Sequence, residues 1–350
     1  MNDDRYSRQI RYPAIGDAGQ QALGQSTALI IGCGALGSVI ANTLARAGVG
    51  TLRIVDRDFL ETSNLQRQML YNEADVDSNL PKAIAAANKL RQINSSIEIE
   101  PHVVDVDASN IQALSEGVDV ILDATDNFEI RFLINDVAVK HSIPWVYGGC
   151  LGADGQTMTI IPGESACLRC LMLDGPPLPG TMPTCDSSGI LASIISVIGS
   201  IQANEAMKIL SGNRGAISKS LTIVELWQNQ FRQMDVSKLR DQVDCPTCKG
   251  RQFEWLDGQR GSHSAVLCGR NAVQLSPPER QVLDLEKLAA AMESVGKVTR
   301  NRFLLRLSVE SYELTVFPDG RAIINGTEDI AMARKLYAQY VGQLNLPSDG

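Results

Sequence analysis

Apolar and polar positions along the first half of the chain switch between two periods. Ala28–Ile31 is a short apolar run suited to a buried strand, and Leu36, Ile40, Leu44 and Ala47 then recur at helical spacing. Gly48 and Gly50 stop that helix, and Leu52–Val55 forms a second strand. Pro81–Ile93 reads as a helix with proline near its first turn. Ile97–Val104 alternates like a strand, which Pro101 places at an edge. Val118–Asn127 is a buried strand ending in a polar turn, followed by a helix from about Glu129 to His141 and a strand at Pro144–Gly149. This alternation predicts an α/β fold with a doubly wound, mainly parallel, Rossmann-like sheet.

From Gln156 the pattern changes. "TMTII" and "LTIVELW" read as strands that pair antiparallel on either side of a helix over Ser187–Leu210. Within it, Ser187–Asn204 is uncharged and long enough to raise the question of a membrane span. Its Ile and Leu residues at 190, 191, 194, 195, 198 and 201 instead define one apolar face among small residues, as in a tightly packed buried or interface helix. The stretch Gly175–Ser188 is rich in Pro and Gly and reads as a loop. Residues 1–252 are expected to form one domain and 253–264, with "WLDGQRGSH", a linker. Residues 265–350 form a small α+β module: a strand in "AVLCGRNAVQL", a helix in "LDLEKLAAAMESV", a strand pair, a further strand after "PDGRAII" begins, and a closing helix.

Composition narrows the function. A net charge of −8 over 350 residues argues against nucleic acid as the main partner. The start, "MNDDRYSRQIRY", has no apolar core, so a signal peptide is not expected and the cytoplasm is. Of eight cysteines, four fall in two C-x-x-C pairs, Cys167/Cys170 and Cys245/Cys248. In a reducing compartment such pairs point to metal binding or redox work.

Gly32-x-Gly34-x-x-Gly37 between the first strand and helix is a phosphate-binding turn, and Asp56, about 20 residues on, suits ribose hydroxyls. Alone, the motif serves a nicotinamide or flavin as well as any other nucleotide. The residues beyond Asp56 fit a dehydrogenase poorly. "SNLQRQ" places Asn64 and Arg67 beyond the ribose acid, Lys82 opens the next helix, and Asp126-Asn127 closes a central strand at its carboxyl end. Arg67 and Lys82 supply cations for a polyphosphate, and Asp126 supplies a hard oxygen ligand for Mg²⁺. Attack on the α-phosphate of ATP needs such a set, whereas hydride transfer does not.

"RYSRQI", "GCGALG", "VDRDFLETSNLQRQ", "PKA", "DATDN", "CLRC", "PTC" and "CPTC", in this order over about Arg5 to Gly250, resemble the bacterial adenylyltransferases that activate sulfur-carrier proteins. These enzymes are simpler relatives of the ubiquitin-activating enzymes. The resemblance implies that Gly32, Gly34, Ala35 and Gly37 cradle ATP, with Ala35 standing where many relatives have a fourth glycine. It implies ribose binding by Asp56, phosphate binding by Asn64, Arg67 and Lys82, and Mg²⁺ at Asp126, beside Asn127. Arg8 would reach the ATP site of a partner subunit in a homodimer, and Cys167, Cys170, Cys245 and Cys248 would hold one Zn²⁺. The implied partners are a ubiquitin-like carrier ending in Gly-Gly and a sulfur-donor protein, with neither membrane nor nucleic acid. Cys185, in a loop before a helix expected to begin near Ser187, is a candidate covalent or sulfur-relay thiol. Cys33 and Cys150 read as small buried residues, and Cys268 as part of a strand rather than a sulfurtransferase loop. Two alternatives stay open: an oxidoreductase with redox C-x-x-C pairs, and a non-catalytic carrier-binding scaffold.

Overall fold

A computed structural model describes residues 5–176, 188–260, 264–267, 271–275 and 283–341. The chain divides into two compact units, one running to Arg260 and one containing the residues from Gly261 onward.

The first unit is built on an eight-stranded sheet. Its strands are β1 (Thr27–Ile31), β2 (Thr51–Val55), β3 (Glu98–His102), β4 (Val120–Asp123), β5 (Trp145–Leu151), β6 (Asp154–Ile160), β7 (Ser220–Glu225) and β8 (Gln230–Asp235), in the spatial order β3-β2-β1-β4-β5-β6-β7-β8. The first five pair in parallel, and β5 through β8 pair antiparallel. Strand order reverses between β1 and β4, and such a switch point opens a ligand crevice at the carboxyl ends. Pro101 lies in β3, an edge strand, where a missing N–H costs least.

Helices cover both faces. On one side α1 (Gly16–Gln25), α2 (Ala35–Ala47), α3 (Lys82–Ile93) and α5 (Ala192–Leu210) enclose a core with Ile30, Ile40, Leu44, Ile54, Leu90 and Ile198, all fully buried. On the other, α4 (Phe128–His141) packs on Leu29, Ile121 and Trp145. The long helix α5 lies so close to β5 that a Cβ on Gly148 would collide with Gln202. From that contact Gln202 donates to the Asp123 carbonyl at 2.7 Å, tying helix and sheet where β4 ends. Among the described residues no helix is long and apolar enough to cross a membrane.

The segment expected as a linker belongs in part to this unit. Phe253, Trp255 and Leu256 are buried, Trp255 stacks on Phe132 at 4.4 Å, and Asp136 of α4 accepts the Trp255 N–H at 3.0 Å. Polar neighbours in "WLDGQRGSH" hid an anchoring apolar cluster. Likewise α5 begins at Ala192 rather than near Ser187, with Ile190 bridged to Gly152 just before it.

The second unit carries an antiparallel sheet of β9 (Ser264–Leu267), β10 (Ala272–Leu275), β11 (Lys297–Arg300), β12 (Leu305–Val309), β13 (Tyr312–Val316) and β14 (Ala322–Asn325), ordered β11-β12-β13-β14-β10-β9. The stretch read as one strand over 265–275 is a pair, β9 and β10. Helices α6 (Leu285–Met292) and α7 (Ile330–Tyr340) bury Leu288, Met292, Ala333 and Leu336 with Leu307, Leu314 and Ile324 in a separate core. Each helix begins with an aspartate, Asp284 or Asp329, whose carboxylate caps the first backbone N–H groups.

Candidate nucleotide and metal sites

The β1–α2 turn needs its glycines for shape. Gly32 has φ +90°, and a Cβ there would stand 2.6 Å from the Ala124 carbonyl oxygen at the end of β4. A Cβ on Gly37 would strike the Gly32 carbonyl, so the first turn of α2 can approach the loop only without one. Gly34 is the N-cap of α2 and has no side-chain cap, which suits a helix end that receives an anion. Ala35 opens α2 with negative φ, where a Cβ is tolerated.

Asp56, at the carboxyl end of β2, faces this turn. Its Oδ2 accepts the Cys33 N–H at 2.6 Å and its Oδ1 the Asp58 N–H at 2.7 Å, so the acid braces the glycine loop. Burial pushes its pKa up, against the pull of Lys82. Lys82 is only 4 % exposed and begins α3 behind Pro81. Its Nζ lies 3.2 Å from the Asp58 carboxylate, and its N–H donates to the Asp58 carbonyl at 2.8 Å. A buried ammonium requires such an acid. Sequence reasoning missed Asp58, although its place two residues beyond Asp56 was the available signal. The Tyr71 hydroxyl donates to the Cys33 carbonyl at 2.8 Å, with the Lys82 carbonyl 3.2 Å away. Cys33 is fully buried, and burial pushes its thiol up to about 12, consistent with a packing residue; Cys150 is half-buried.

In the "SNLQRQ" segment, Asn64 is buried and accepts the Glu61 N–H at 3.2 Å, shaping a turn of 3-10 helix at Thr62–Asn64. Arg67 is half-buried, and its Nη1 donates to the Ser63 carbonyl at 2.8 Å. Gln68 carries a stronger signal. It is 3 % exposed, its Oε1 has no hydrogen-bond partner, and its Nε2 lies 3.6 Å from a Cβ built on Gly34. A buried oxygen without a protein partner beside the phosphate turn is open to a hydrogen bond from a ligand or a water.

Across the crevice, β4 ends at Asp123, which is fully buried and pairs with Arg131 of α4 at 3.2 Å. Burial raises the Asp123 pKa and Arg131 opposes the rise. Arg131 also donates to the Thr125 carbonyl at 2.7 Å, and so fixes the backbone that presents Asp126. Asp126 is exposed. Asn127, expected among the cofactor contacts, uses its side-chain oxygen to cap α4 by accepting the Glu129 N–H at 2.8 Å.

Arg8 lies elsewhere in its own chain. Its short helix, Ser7–Ile10, is held where α2 and α3 end: Gln9 donates to the Ala47 carbonyl at 2.9 Å, and Arg5 to that of Ile93 at 3.0 Å. The 13 residues of α2, about 20 Å of helix, separate this arm from the glycine turn. Arg8 is exposed there.

The four cysteines of the C-x-x-C pairs converge. Cys167 Sγ lies 3.8 Å from Cys170 and 3.6 Å from Cys245, Cys170 lies 3.5 Å from Cys248, and all four sulfurs fall within 4.8 Å of one another. Four thiolates about 2.3 Å from a tetrahedral zinc stand about 3.8 Å apart, so the spacing fits that ion. Hydrogen bonding within the quartet holds Cys167 above the ordinary thiol range and Cys245 below it. Asn135 of α4 orients the set, accepting the Leu168 N–H at 2.9 Å with its amide 3.7 Å from Cys167 Sγ. The quartet could hold a metal ion. Cys185 and Cys268 lie outside the described residues.

A parallel sheet with a glycine turn at its switch point, joined to an antiparallel extension and a four-cysteine cluster, defines a nucleotide-binding class of protein. The chain belongs to the ThiF family, whose model matches residues 6–247. It is 42 % identical over 339 residues to the sulfur carrier protein ThiS adenylyltransferase of Bacillus subtilis, covering 97 % of this chain and 99 % of that one. It is 39 % identical to the SAMP-activating enzyme E1 of Haloferax volcanii over 70 % of this chain and 88 % of the relative. The fold matches that of E. coli MccB, solved with ATP, at TM-score 0.59 and 21 % identity, over 67 % of this chain and 72 % of the other.

Proposed function

We propose that the protein activates the C-terminal glycine of a ubiquitin-like sulfur-carrier protein as an acyl-adenylate, using ATP. The carrier's carboxylate oxygen attacks the α-phosphorus, a P–O bond forms, the α–β phosphoanhydride bond breaks, and pyrophosphate leaves. The carboxylate is ionised at neutral pH, so no protein base is required. The observation that carries this reading is the convergence of the Gly32–Gly37 turn, Asp56, buried Lys82 on Asp58, and the orphaned Gln68 oxygen on the carboxyl edge of β1 and β2.

In this reading Asp56 takes the ribose, the α2 N-terminus with Asn64, Arg67 and Lys82 takes the phosphates, and Asp126 holds Mg²⁺. The metal would neutralise charge on the phosphates, while the protein residues align them against the incoming carboxylate. Arg8 serves the partner subunit of a homodimer, since its arm is anchored at the far end of α2 from its own glycine turn. Zn²⁺ in the cysteine quartet is structural: it ties the α4-facing Cys167 turn to the Cys245 segment. Reduced thiolates of that kind suit the cytoplasm. A sulfur-donor protein consumes the adenylate, with Cys185 as the candidate thiol.

The carrier is ThiS-like rather than molybdopterin-type. Similarity to the ThiS adenylyltransferase runs over 97 % of the chain, whereas similarity to the MOCS3 adenylyltransferase and sulfurtransferase of Aedes aegypti stops at 70 %. The second unit is then a docking element for this pathway. ATP–pyrophosphate exchange tests the reading: it should require a Gly-Gly carrier and be faster with a ThiS-type than with a MoaD-type carrier. Absence of exchange with either, from folded protein, returns the scaffold and oxidoreductase alternatives.

A further inference from the structure

Three stretches well separated in the chain supply the phosphate side of the crevice: the glycine turn after β1, the "SNLQRQ" segment, and the start of α3 at Lys82. Tyr71 meets all three. It follows the "SNLQRQ" segment and donates its N–H to the Gln68 carbonyl at 3.2 Å. Its hydroxyl donates to the Cys33 carbonyl at 2.8 Å and also reaches the Lys82 carbonyl at 3.2 Å, so one proton is shared between the turn and α3. The side chain is buried, and burial pushes the phenol well above its ordinary range, which keeps the group a donor at any working pH.

Cys33 is held at both ends, its N–H by Asp56 and its carbonyl by Tyr71. That carbonyl shares a peptide plane with the Gly34 N–H. No peptide bond here is cis, and in a trans peptide the C=O and the following N–H point in opposite directions. The Tyr71 bond therefore aims the Gly34 N–H away from the tyrosine. Gly34 is the N-cap of α2, and no backbone carbonyl of the described residues accepts its N–H. Without a Cβ, glycine does little by itself to stop that peptide plane from turning.

We propose that Tyr71 is a positioning residue for the phosphate turn: its hydroxyl fixes the direction of the Gly34 N–H and the spacing of that N–H from Lys82. The inference deepens the adenylating reading and rests on it. A tyrosine that only filled space would need its ring and not its hydroxyl, whereas this hydroxyl joins main-chain carbonyls of two separate elements. A carbonyl that accepts a hydrogen bond also polarises the N–H across the same peptide, which strengthens that N–H toward an anion. The turn holds the phosphates before and during the reaction alike, so the contribution falls on KM for ATP rather than on kcat.

Carrier-dependent pyrophosphate exchange by the full chain separates positioning from stability. Tyr71→Phe should raise KM for ATP about five- to tenfold and leave kcat and KM for the carrier within about twofold. A purely structural hydroxyl gives the opposite split, because fewer folded molecules lower the apparent kcat and leave KM unchanged. Para-aminophenylalanine in place of Tyr71 keeps the ring and sets an N–H donor where the hydroxyl was. It should return KM for ATP to the wild-type value, and it is the deciding variant if Tyr71→Phe does not fold. An unchanged KM or a fall in kcat alone in Tyr71→Phe, or a KM still raised with para-aminophenylalanine, overturns the positioning role while leaving adenylation standing. A wild-type chain without exchange overturns the adenylating reading, and the positioning role with it.

Discussion

Replacing Arg131 with methionine isolates the buried ion pair that presents Asp126. Asp123 is fully buried and Arg131 is 7 % exposed, so the pair sits in a medium that screens it little. Methionine keeps much of the side chain's packing against Phe128 and Tyr147 but leaves the Asp123 charge uncompensated. Breaking one partner of a buried pair costs about 3–5 kcal/mol, and the lost bond to the Thr125 carbonyl adds about 1 kcal/mol. Urea denaturation followed by tryptophan fluorescence reads this cost in the first unit, where Trp145, Trp227 and Trp255 all lie. The loss should depend on pH with a definite sign. Burial already raises the Asp123 pKa and Arg131 restrains it, so the variant raises it further. A carboxyl group with a raised folded-state pKa stabilises the fold below its unfolded value, and that stability is lost as pH climbs through the folded value. The deficit of Arg131→Met should therefore be smaller at about pH 5.5 than at about pH 8. Asp123→Asn in the same chain should recover part of it at the higher pH, because no buried charge is then left unpaired. An equal deficit at both pH values, or a double variant as unstable as the sum of the singles, would refute the assignment of the cost to Asp123.

Asp126→Ala should lower carrier-dependent pyrophosphate exchange by at least about 100-fold while the urea midpoint stays at the wild-type value, since the side chain is exposed; retained exchange counts against the metal role. Purified protein should contain one zinc per chain by elemental analysis, and Cys248→Ser should lower both zinc content and melting temperature; an unchanged melt after complete zinc removal would remove the structural role. Arg8→Ala and Lys82→Ala should each be inactive alone, yet an equal mixture of subunits should recover about a quarter of wild-type exchange, because mixed dimers keep one intact site. No recovery, with exchange of subunits verified, would place Arg8 in its own subunit's site.

The sequence by itself determined the doubly wound sheet, since apolar periods of 2 and 3.6 are imposed locally by burial on a strand or a helix face. It also determined the glycine turn: the Gly32 φ and the Gly37 approach exclude other residues, so the requirement is written in composition. Tertiary structure decided what periodicity does not encode. The edge strands β8 and β11 are built largely from exposed polar residues, and only hydrogen bonding to β7 and β12 makes them strands. Trp255 looked like linker until Phe132 supplied its partner. The cysteine quartet joins residues 78 apart in the chain, and its spacing of 3.5–3.8 Å exists only once the sheet has brought the pairs together. The partnerships of Lys82 with Asp58, Arg131 with Asp123 and Arg57 with Asp105 are of the same kind. Each charged residue is visible in the sequence, but which opposite charge it meets is fixed by where strands and helices end, because electrostatic pairing acts over a few ångströms of space and not along the chain.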